Sequence, residues 1–288
     1  MYFRSDMAAE AHDRFMSEYS KDHKGEPDGI EYAERRVRGI DISTVRILDG
    51  NGEKLLGRPV GTYVTVFLGK VKKVSADRAD KAAEVISDIL AQLGAGRSVF
   101  VAGLGNAKIT ADSVGPVAAS HVIATHHIKD AELRKKSGLG DVSVLIPGVL
   151  AQSGIDCAAL IRAAVAETSA SAVIVIDALA AHSPRTLCGT VQITDTGIRP
   201  GSGVGNDRGE LSRKTLGVKV IAVGVPTVID AAALLPDGCG GDAADSLRGL
   251  YVCPKDCGEA SEEIGRLIGH AVDRLCHPSL SFSDMEYI

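Results

Sequence analysis

The sequence predicts an α/β fold in a single domain over residues 1–288, with a mixed, largely parallel β-sheet flanked by helices. From residue 98 onward, short β-branched runs alternate with helical segments, a rhythm typical of βαβ units. The runs lie at residues 99–102, 142–146, 172–176 and 218–223. With no Trp, five Phe and six Tyr, the core of such a fold must be aliphatic.

Hydrophobic spacing predicts the other elements. Apolar residues three or four apart predict helices over residues 7–21, 82–93, 112–126, 156–168, 227–235 and 264–275. The charge-rich segment 30–40 predicts a further helix. Residues 45–48 and 63–68 predict strands, and the Asp-Gly-Asn-Gly sequence at 49–52 predicts a turn between them.

Composition excludes several classes of protein. The net charge of −5 argues against a duplex nucleic-acid partner, and the scarcity of aromatic residues argues against a base-stacking surface. No secretory signal or membrane-spanning stretch is evident, so we expect a cytoplasmic protein without a membrane partner. Cys253 and Cys257 have the spacing of zinc ligands, but His270 and His277 are too far apart to share one ion. We therefore interpret the cysteines as reduced thiols and expect no cofactor.

A glycine-containing loop follows the first strand of the βαβ region. Gly103 and Gly105 permit close approach of a backbone, and Asn106 adds a polar group. Because ligands bind beyond the carboxyl ends of strands in α/β sheets, we expect these residues to shape a cleft beside Asp112. Asp112 either acts in that cleft or caps the following helix. Lys108 stands where the dinucleotide fingerprint needs its third glycine, so that fingerprint fails.

A second aspartate follows a buried strand directly. Asp177 comes after five apolar residues, where an unpaired charge is costly, so it is either a cap or a functional group. If strands 99–102 and 172–176 are neighbours, Asp112 and Asp177 face each other across one cleft. One carboxylate then acts as a base on water while the other protonates a leaving group.

A third segment, residues 194–206, is rich in small residues. It predicts a loop close to which an extended peptide passes, with a flexible turn as the alternative. Its candidate substrate-binding residues are Gly201, Ser202, Gly203 and Asn206. Arg199, just before them, has the charge to pair with an acidic substrate group, although a solvated Arg is commoner.

Six segments in the same order resemble the germination protease family of spore-forming bacteria. They are residues 103–106 with Asp112, 147–149, 153–155, 176–181, 197–206 and 224–230. The similarity extends from about Phe3 to Pro278. The resemblance implies a phosphorylase/hydrolase-like fold shared with hydrogenase-maturation endopeptidases, and it matches Asp112 and Asp177 to the two essential aspartates of the family.

The same resemblance implies a biological role. It implies an endopeptidase of the forespore and spore core that initiates degradation of small acid-soluble spore proteins during germination. It also implies a homotetramer made as a self-processed zymogen. Arg199 stands where the family often has His, and an Arg does not ligate a metal in the ordinary way, so we expect no metal.

The N-terminus has the form of the family's own cleavage sites. Those sites place an acidic residue before an apolar one, with small residues and a Glu beyond, as residues 5–11 do here. We predict self-processing between Asp6 and Met7, with residues 1–6 as the propeptide. Capping of the first helix by Ser5 or Asp6 is the alternative.

Two other functions fit the same residues. In one, Asp112 and Asp177 are metal ligands of an endopeptidase related to hydrogenase-maturation proteases. In the other, the glycine loops of a non-catalytic α/β module bind a small anion. Cleavage that requires both aspartates and continues in the presence of a chelator would distinguish a water-activating aspartate pair from the metal-dependent endopeptidase and from the anion-binding module.

Overall fold

The computed structural model describes residues 5–69, 75–201, 209–235 and 241–280, whose strands join one mixed sheet. The strands are β1 (Ile30–Val37), β2 (Ile40–Ile47), β3 (Gly61–Phe67), β4 (Ser98–Gly103), β5 (Asp141–Leu145), β6 (Ala172–Ala181), β7 (Thr190–Thr194), β8 (Lys219–Asp230) and β9 (Tyr251–Val252). Their order is β1-β2-β3-β7-β8-β6-β4-β5, with β9 paired to β8. Strands β5, β4, β6 and β8 run parallel, and the other pairings are antiparallel.

Helices cover both faces of this sheet. They are α1 (Ala8–Tyr19), α2 (Gly50–Leu56), α3 (Ala76–Gln92), α4 (Val114–Ser120), α5 (Ala131–Lys136), α6 (Leu150–Ser153), α7 (Cys157–Ala166), α8 (Arg213–Leu216), α9 (Asp242–Leu247) and α10 (Cys257–Cys276). The predicted α/β class, a mixed sheet flanked by helices, is confirmed. The expected largely parallel character holds only for β5, β4, β6 and β8, because three of the described pairings are parallel and five are antiparallel. Of the helices in the described ranges, none has the length and apolar character needed to cross a bilayer.

The apolar runs of the sequence form strands that are buried on both faces. On β4, Val99 and Val101 pack with α3, α4 and α10, whereas Phe100 and Ala102 pack with α7 on the opposite side. A strand between two helical layers must present apolar side chains in both directions. This requirement explains why the βαβ strands are continuous apolar runs without alternation.

The helix predicted over residues 30–40 is wrong. This segment forms β1, which pairs antiparallel with β2 across a tight turn at Arg38 and Gly39. Both turn residues have positive φ, of 51° and 78°, as a two-residue hairpin turn requires. The charges that suggested a solvated helix instead line an edge strand, where charged side chains oppose pairing with another chain.

Other elements also differ from expectation. The predicted turn at 49–52 is the start of α2, where Asp49 Oδ1 accepts hydrogen bonds from the N–H groups of Asn51 and Gly52. The predicted helix at 227–235 is the end of β8 followed by a single 3₁₀ turn (Ala231–Leu234). Strand β7 was not predicted at all. In each case pairing within the sheet, or a side-chain cap, overrides the local propensity.

A buried carboxyl group near the end of α10 makes stability depend on pH. Asp273 is fully buried, and its Oδ1 accepts a hydrogen bond from the N–H of Ile123 at 2.9 Å, while Oδ2 has no hydrogen-bond partner. Burial raises the pKa of Asp273 to about 7. The nearby His277 offers no compensating charge, since burial lowers its pKa.

We expect Asp273→Asn to remove a pH-dependent loss of stability. The raised pKa means that the folded chain holds this proton while the unfolded chain releases it above about pH 4. The chain is therefore most stable, with respect to this group, below about pH 4. Its free energy of unfolding falls by about 4 kcal/mol as the pH rises to about 7. Thermal melting at pH 5 and pH 8 should show a smaller decline for the variant than for the wild type. Equal declines would contradict the assignment.

Candidate active site

Asp112 closes the loop that follows β4. It ends a 3₁₀ turn (Thr110–Asp112), and Ser113 occupies the N-cap position of α4, so the helix-cap alternative is wrong. Asp112 Oδ2 accepts a hydrogen bond from the N–H of Asn106 at 2.9 Å, and its main-chain oxygen accepts from the same group at 3.0 Å. The half-buried carboxylate is thereby fixed beside the loop.

The two loop glycines position this aspartate. Gly105 has a φ of 110°, and an added Cβ would collide with the main-chain oxygen of Asp112. At Gly103 an added Cβ would collide with Gly115 and Ala119 of α4. Both glycines are buried and permit close packing of loop and helix. Their predicted contact with substrate stays a prediction.

Asp177 lies inside a strand and not at its end. Strand β6 continues for four residues beyond Asp177, to Ala181, because β8 continues to pair with it, so the cap alternative is wrong here too. The side chain is only 6% exposed. A carboxylate at such a position is retained at a cost in desolvation, which is typical of functional groups.

The parallel strands β4 and β6 are neighbours, as the two-aspartate hypothesis requires. The Leu104 N–H, just after β4, donates to the carbonyl of Ile176 at 2.8 Å. Gly115 packs against both of those residues, since an added Cβ there would collide with their carbonyl oxygens. Gly115 lies three residues after Asp112, and Ile176 precedes Asp177, so this packing places the two aspartates along one edge of the sheet.

Both aspartates line the same cavity, which has a volume of about 1230 Å³. Asn106, Arg199 and Gly201, three of the predicted substrate-binding residues, also line it, and their contact with substrate stays a prediction. Arg199 is exposed and forms a salt bridge with Glu210, whose carboxylate lies 3.1 Å away. The other predicted loop residues, Ser202, Gly203 and Asn206, lie outside the described residues.

The N-terminal segment enters this cavity. Asp6 lines it, and its N–H donates to the carbonyl of Ala180 at 2.8 Å. The Ala180 N–H in turn donates to Asp6 Oδ2 at 2.8 Å. Met7 is extended, with φ −87° and ψ 121°, and is fully buried as the N-cap residue of α1. No side chain caps this helix, so neither Ser5 nor Asp6 has the capping role considered above.

Glu10 anchors the same segment four residues beyond Asp6. Its carboxylate accepts hydrogen bonds from the N–H groups of His182 and Ser183 at 2.7 and 3.0 Å, and from Thr186 Oγ1 at 2.6 Å. Ser5 Oγ also donates to it, at 2.5 Å. The side chain is buried, with 8% exposure. These bonds fix the register of the segment along the cavity.

Several site residues gave no sequence signal. Gln192 donates from Nε2 to the carbonyl of Asp6 at 2.9 Å, and Arg58 donates to the carbonyl of Ser5. Tyr63 lines the cavity, and burial raises the pKa of its phenol to about 12, so it stays protonated while donating to the Pro59 carbonyl at 2.8 Å. These residues lie on or beside the antiparallel strands β3 and β7, whose place next to the βαβ region is a tertiary property.

Cys257, one of the two cysteines with the spacing of zinc ligands, lies beside another cysteine. Cys257 begins α10, and its Sγ lies 3.7 Å from that of Cys188, which donates a hydrogen bond and lowers the pKa of Cys257 to about 6. Within the described ranges, no three His, Cys, Asp or Glu side chains are grouped so as to hold a metal ion.

Sequence comparisons relate this chain to known proteins. The family model described as Germination protease matches residues 8–240. The germination protease of Oceanobacillus iheyensis is 40% identical over 242 residues, which is 81% of this chain and 66% of that protein. That of Caldanaerobacter subterraneus subsp. tengcongensis is 40% identical over 238 residues, covering 81% and 71%.

Among solved structures, the chain is similar to a [NiFe] hydrogenase maturation protease HycI from Thermococcus kodakarensis KOD1. The identity is 18% and the TM-score 0.36, over 66% of this chain and 99% of that one, which is too slight a likeness to carry an argument. The sequence relatives are longer, and the chain spans about two thirds of the O. iheyensis protein. The match to the family model and the 40% identity nevertheless show that this chain belongs to the germination protease family.

Proposed function

We propose that this chain is an endopeptidase that cleaves its own N-terminal segment between Asp6 and Met7 and then degrades small acid-soluble spore proteins. The observation that carries the proposal is that Asp6 lines the same cavity as Asp112 and Asp177. A peptide bond held beside two carboxylates has the groups that hydrolysis needs. Family membership supports the spore proteins as the substrate class.

In this mechanism the two aspartates divide the proton transfers. One aspartate, ionised, takes a proton from water as the water oxygen adds to the Asp6 carbonyl carbon, and the other, protonated, gives its proton to the Met7 nitrogen as the C–N bond breaks. Water thus supplies a hydroxyl to the new carboxylate and a hydrogen to the new amine. The roles of Asp112 and Asp177 are interchangeable in this description, and the balance of atoms is the same either way.

The proposal is tested by incubating the purified full chain and reading its mass over time. We expect a product that begins at Met7, formed equally with and without chelator. A chain truncated to begin at Met7 should cleave a peptide carrying a Glu-Ile bond followed by Ala-Ser-Glu. An intact Met1, or a product with another start, would refute self-processing, and activity lost with chelator would favour a metal-dependent reaction.

Family membership also supports a homotetramer that acts in the forespore and spore core. Sedimentation equilibrium of the purified chain tests the assembly, with a mass four times that of the 30.0 kDa chain as the expected result. A monomer at micromolar concentration would contradict the tetramer without bearing on the cleavage reaction.

A further inference from the structure

Gln192 is a buried residue on β7 whose side-chain amide forms hydrogen bonds to the N-terminal segment on both sides of one peptide bond. Its Nε2 donates to the carbonyl oxygen of Asp6 at 2.9 Å, and its Oε1 accepts from the N–H of Ala8 at 2.6 Å. The side chain is 6% exposed. The Asp6–Met7 bond, which the proposed function breaks, lies between these two contacts.

We propose that Gln192 is a catalytic residue of the peptidase reaction. Its Nε2 stabilises the negative charge that develops on the scissile carbonyl oxygen, and its Oε1 holds the chain on the leaving side. The inference rests on the proposed function, because only there is Asp6–Met7 the scissile bond.

The sheet register places Gln192 where it can act together with Asp177. Gln192 on β7 pairs with Gly224 on β8, and Gly224 pairs with Asp177 on β6. Residues directly opposite one another in neighbouring strands present their side chains to the same face of a sheet. Gln192 and Asp177 therefore project into the cavity from one row, and both line it.

The chemistry favours an amide at this position. An amide donates and accepts at once, so it bonds a carbonyl and an N–H of one peptide simultaneously. A donor 2.7–3.1 Å from the reacting oxygen strengthens its bond as that oxygen becomes negative, which lowers the barrier. Arg58 does not serve this oxygen, since it donates to the carbonyl of Ser5, one residue upstream.

The segment itself is bound as an extended substrate. The Asp6 N–H donates a main-chain hydrogen bond to the Ala180 carbonyl, and the Ala180 N–H donates to the Asp6 carboxylate. Main-chain pairing of this kind binds extended peptides independently of their sequence, with pockets for individual side chains adding specificity. A substrate with an acidic residue before the scissile bond has the same contacts available, so the role of Gln192 extends to peptides cleaved in trans.

The test uses Gln192→Met and Gln192→Glu at pH 8. Met keeps the size of the side chain without a donor or a strong acceptor, whereas an ionised Glu keeps the acceptor and loses the donor. In chains that begin at Met7, we expect kcat on the Glu-Ile peptide to fall about 100-fold in both variants. KM should rise only in Gln192→Met, because Met also loses the acceptor for the N–H on the leaving side. In the full chain, the appearance of the product that begins at Met7 should slow to a similar degree.

Ser87→Ala is the matched control, because Ser87 on α3 is buried to the same degree as Gln192 and is not among the residues that line the cavity. It should cleave at the wild-type rate. Melting curves establish that each variant folds, and Gln192→Met carries the test if the buried Glu unfolds the chain. Wild-type kcat in a folded Gln192→Met, or a change in KM alone, would overturn the inference. Failure of the wild type to process or cleave would refute the proposed function itself.

Discussion

Asp177→Asn and Asp112→Asn are each expected to reduce peptide cleavage by about 10³-fold or more while the fold is retained. An amide has the shape of a carboxyl group but does not take a proton from water at neutral pH. Asp177 is the more buried of the two, and relieving its desolvation should leave stability unchanged or slightly raised. Rates on the Glu-Ile peptide, together with melting temperatures, measure both effects.

A surface aspartate provides the control for these variants. Asp88 on α3 lies away from the cavity and pairs with Arg38 at 2.8 Å, so Asp88→Asn should cleave normally. If both Asp112→Asn and Asp177→Asn kept wild-type rates, the carboxylate pair would not be the catalytic centre. If cleavage survived in one variant only, the remaining carboxylate would carry out both proton transfers.

The parallel half of the fold was predictable from residue type alone. Strands β4, β6 and β8 are buried on both faces, so continuous apolar runs mark them, and the aspartate after residue 176 stands out against that background. The glycine loop before Asp112 was equally visible, because Gly105 needs a positive φ. A pattern that directly reflects burial or backbone geometry can be recognised in a single sequence.

The antiparallel half was predictable only in part, since the strands predicted at residues 45–48 and 63–68 overlap β2 and β3, whereas β1 and β7 were missed. The charged strand β1 satisfies its backbone by pairing with β2, and no local pattern separates it from a solvated helix. Gln192 lies in a strand that escaped prediction, and its function depends on the register of β7 against β8. Its partner, the N-terminal segment, is almost 190 residues away along the chain, so only the folded structure brings the amide to the Asp6 carbonyl.

Glu10→Ala is expected to slow self-processing by about 100-fold. The substitution removes the acceptor for the half-buried N–H groups of His182 and Ser183 and for the buried Thr186 hydroxyl. Losing the acceptor costs about 1 kcal/mol for each of these three donors, so the docked state of the segment loses about 3 kcal/mol relative to the detached state. Because cleavage needs the docked register, the rate should fall with the docked population, by about tenfold for every 1.4 kcal/mol.

Glu18→Ala on the same helix is the matched control, since that side chain is exposed and far from the cavity. It should process at the wild-type rate in the same mass-spectrometric assay. Wild-type processing by Glu10→Ala would mean that the segment finds its register without the carboxylate.

The role of Glu10 bears on substrates as well. In the N-terminal segment, Glu10 lies four residues after Asp6, which is the residue before the scissile bond, and a substrate can carry a Glu at the same spacing. A substrate that carries this Glu would have to displace Glu10 from the N–H groups of His182 and Ser183, so a Glu10→Ala chain that begins at Met7 should bind the Glu-Ile peptide more tightly than the wild type.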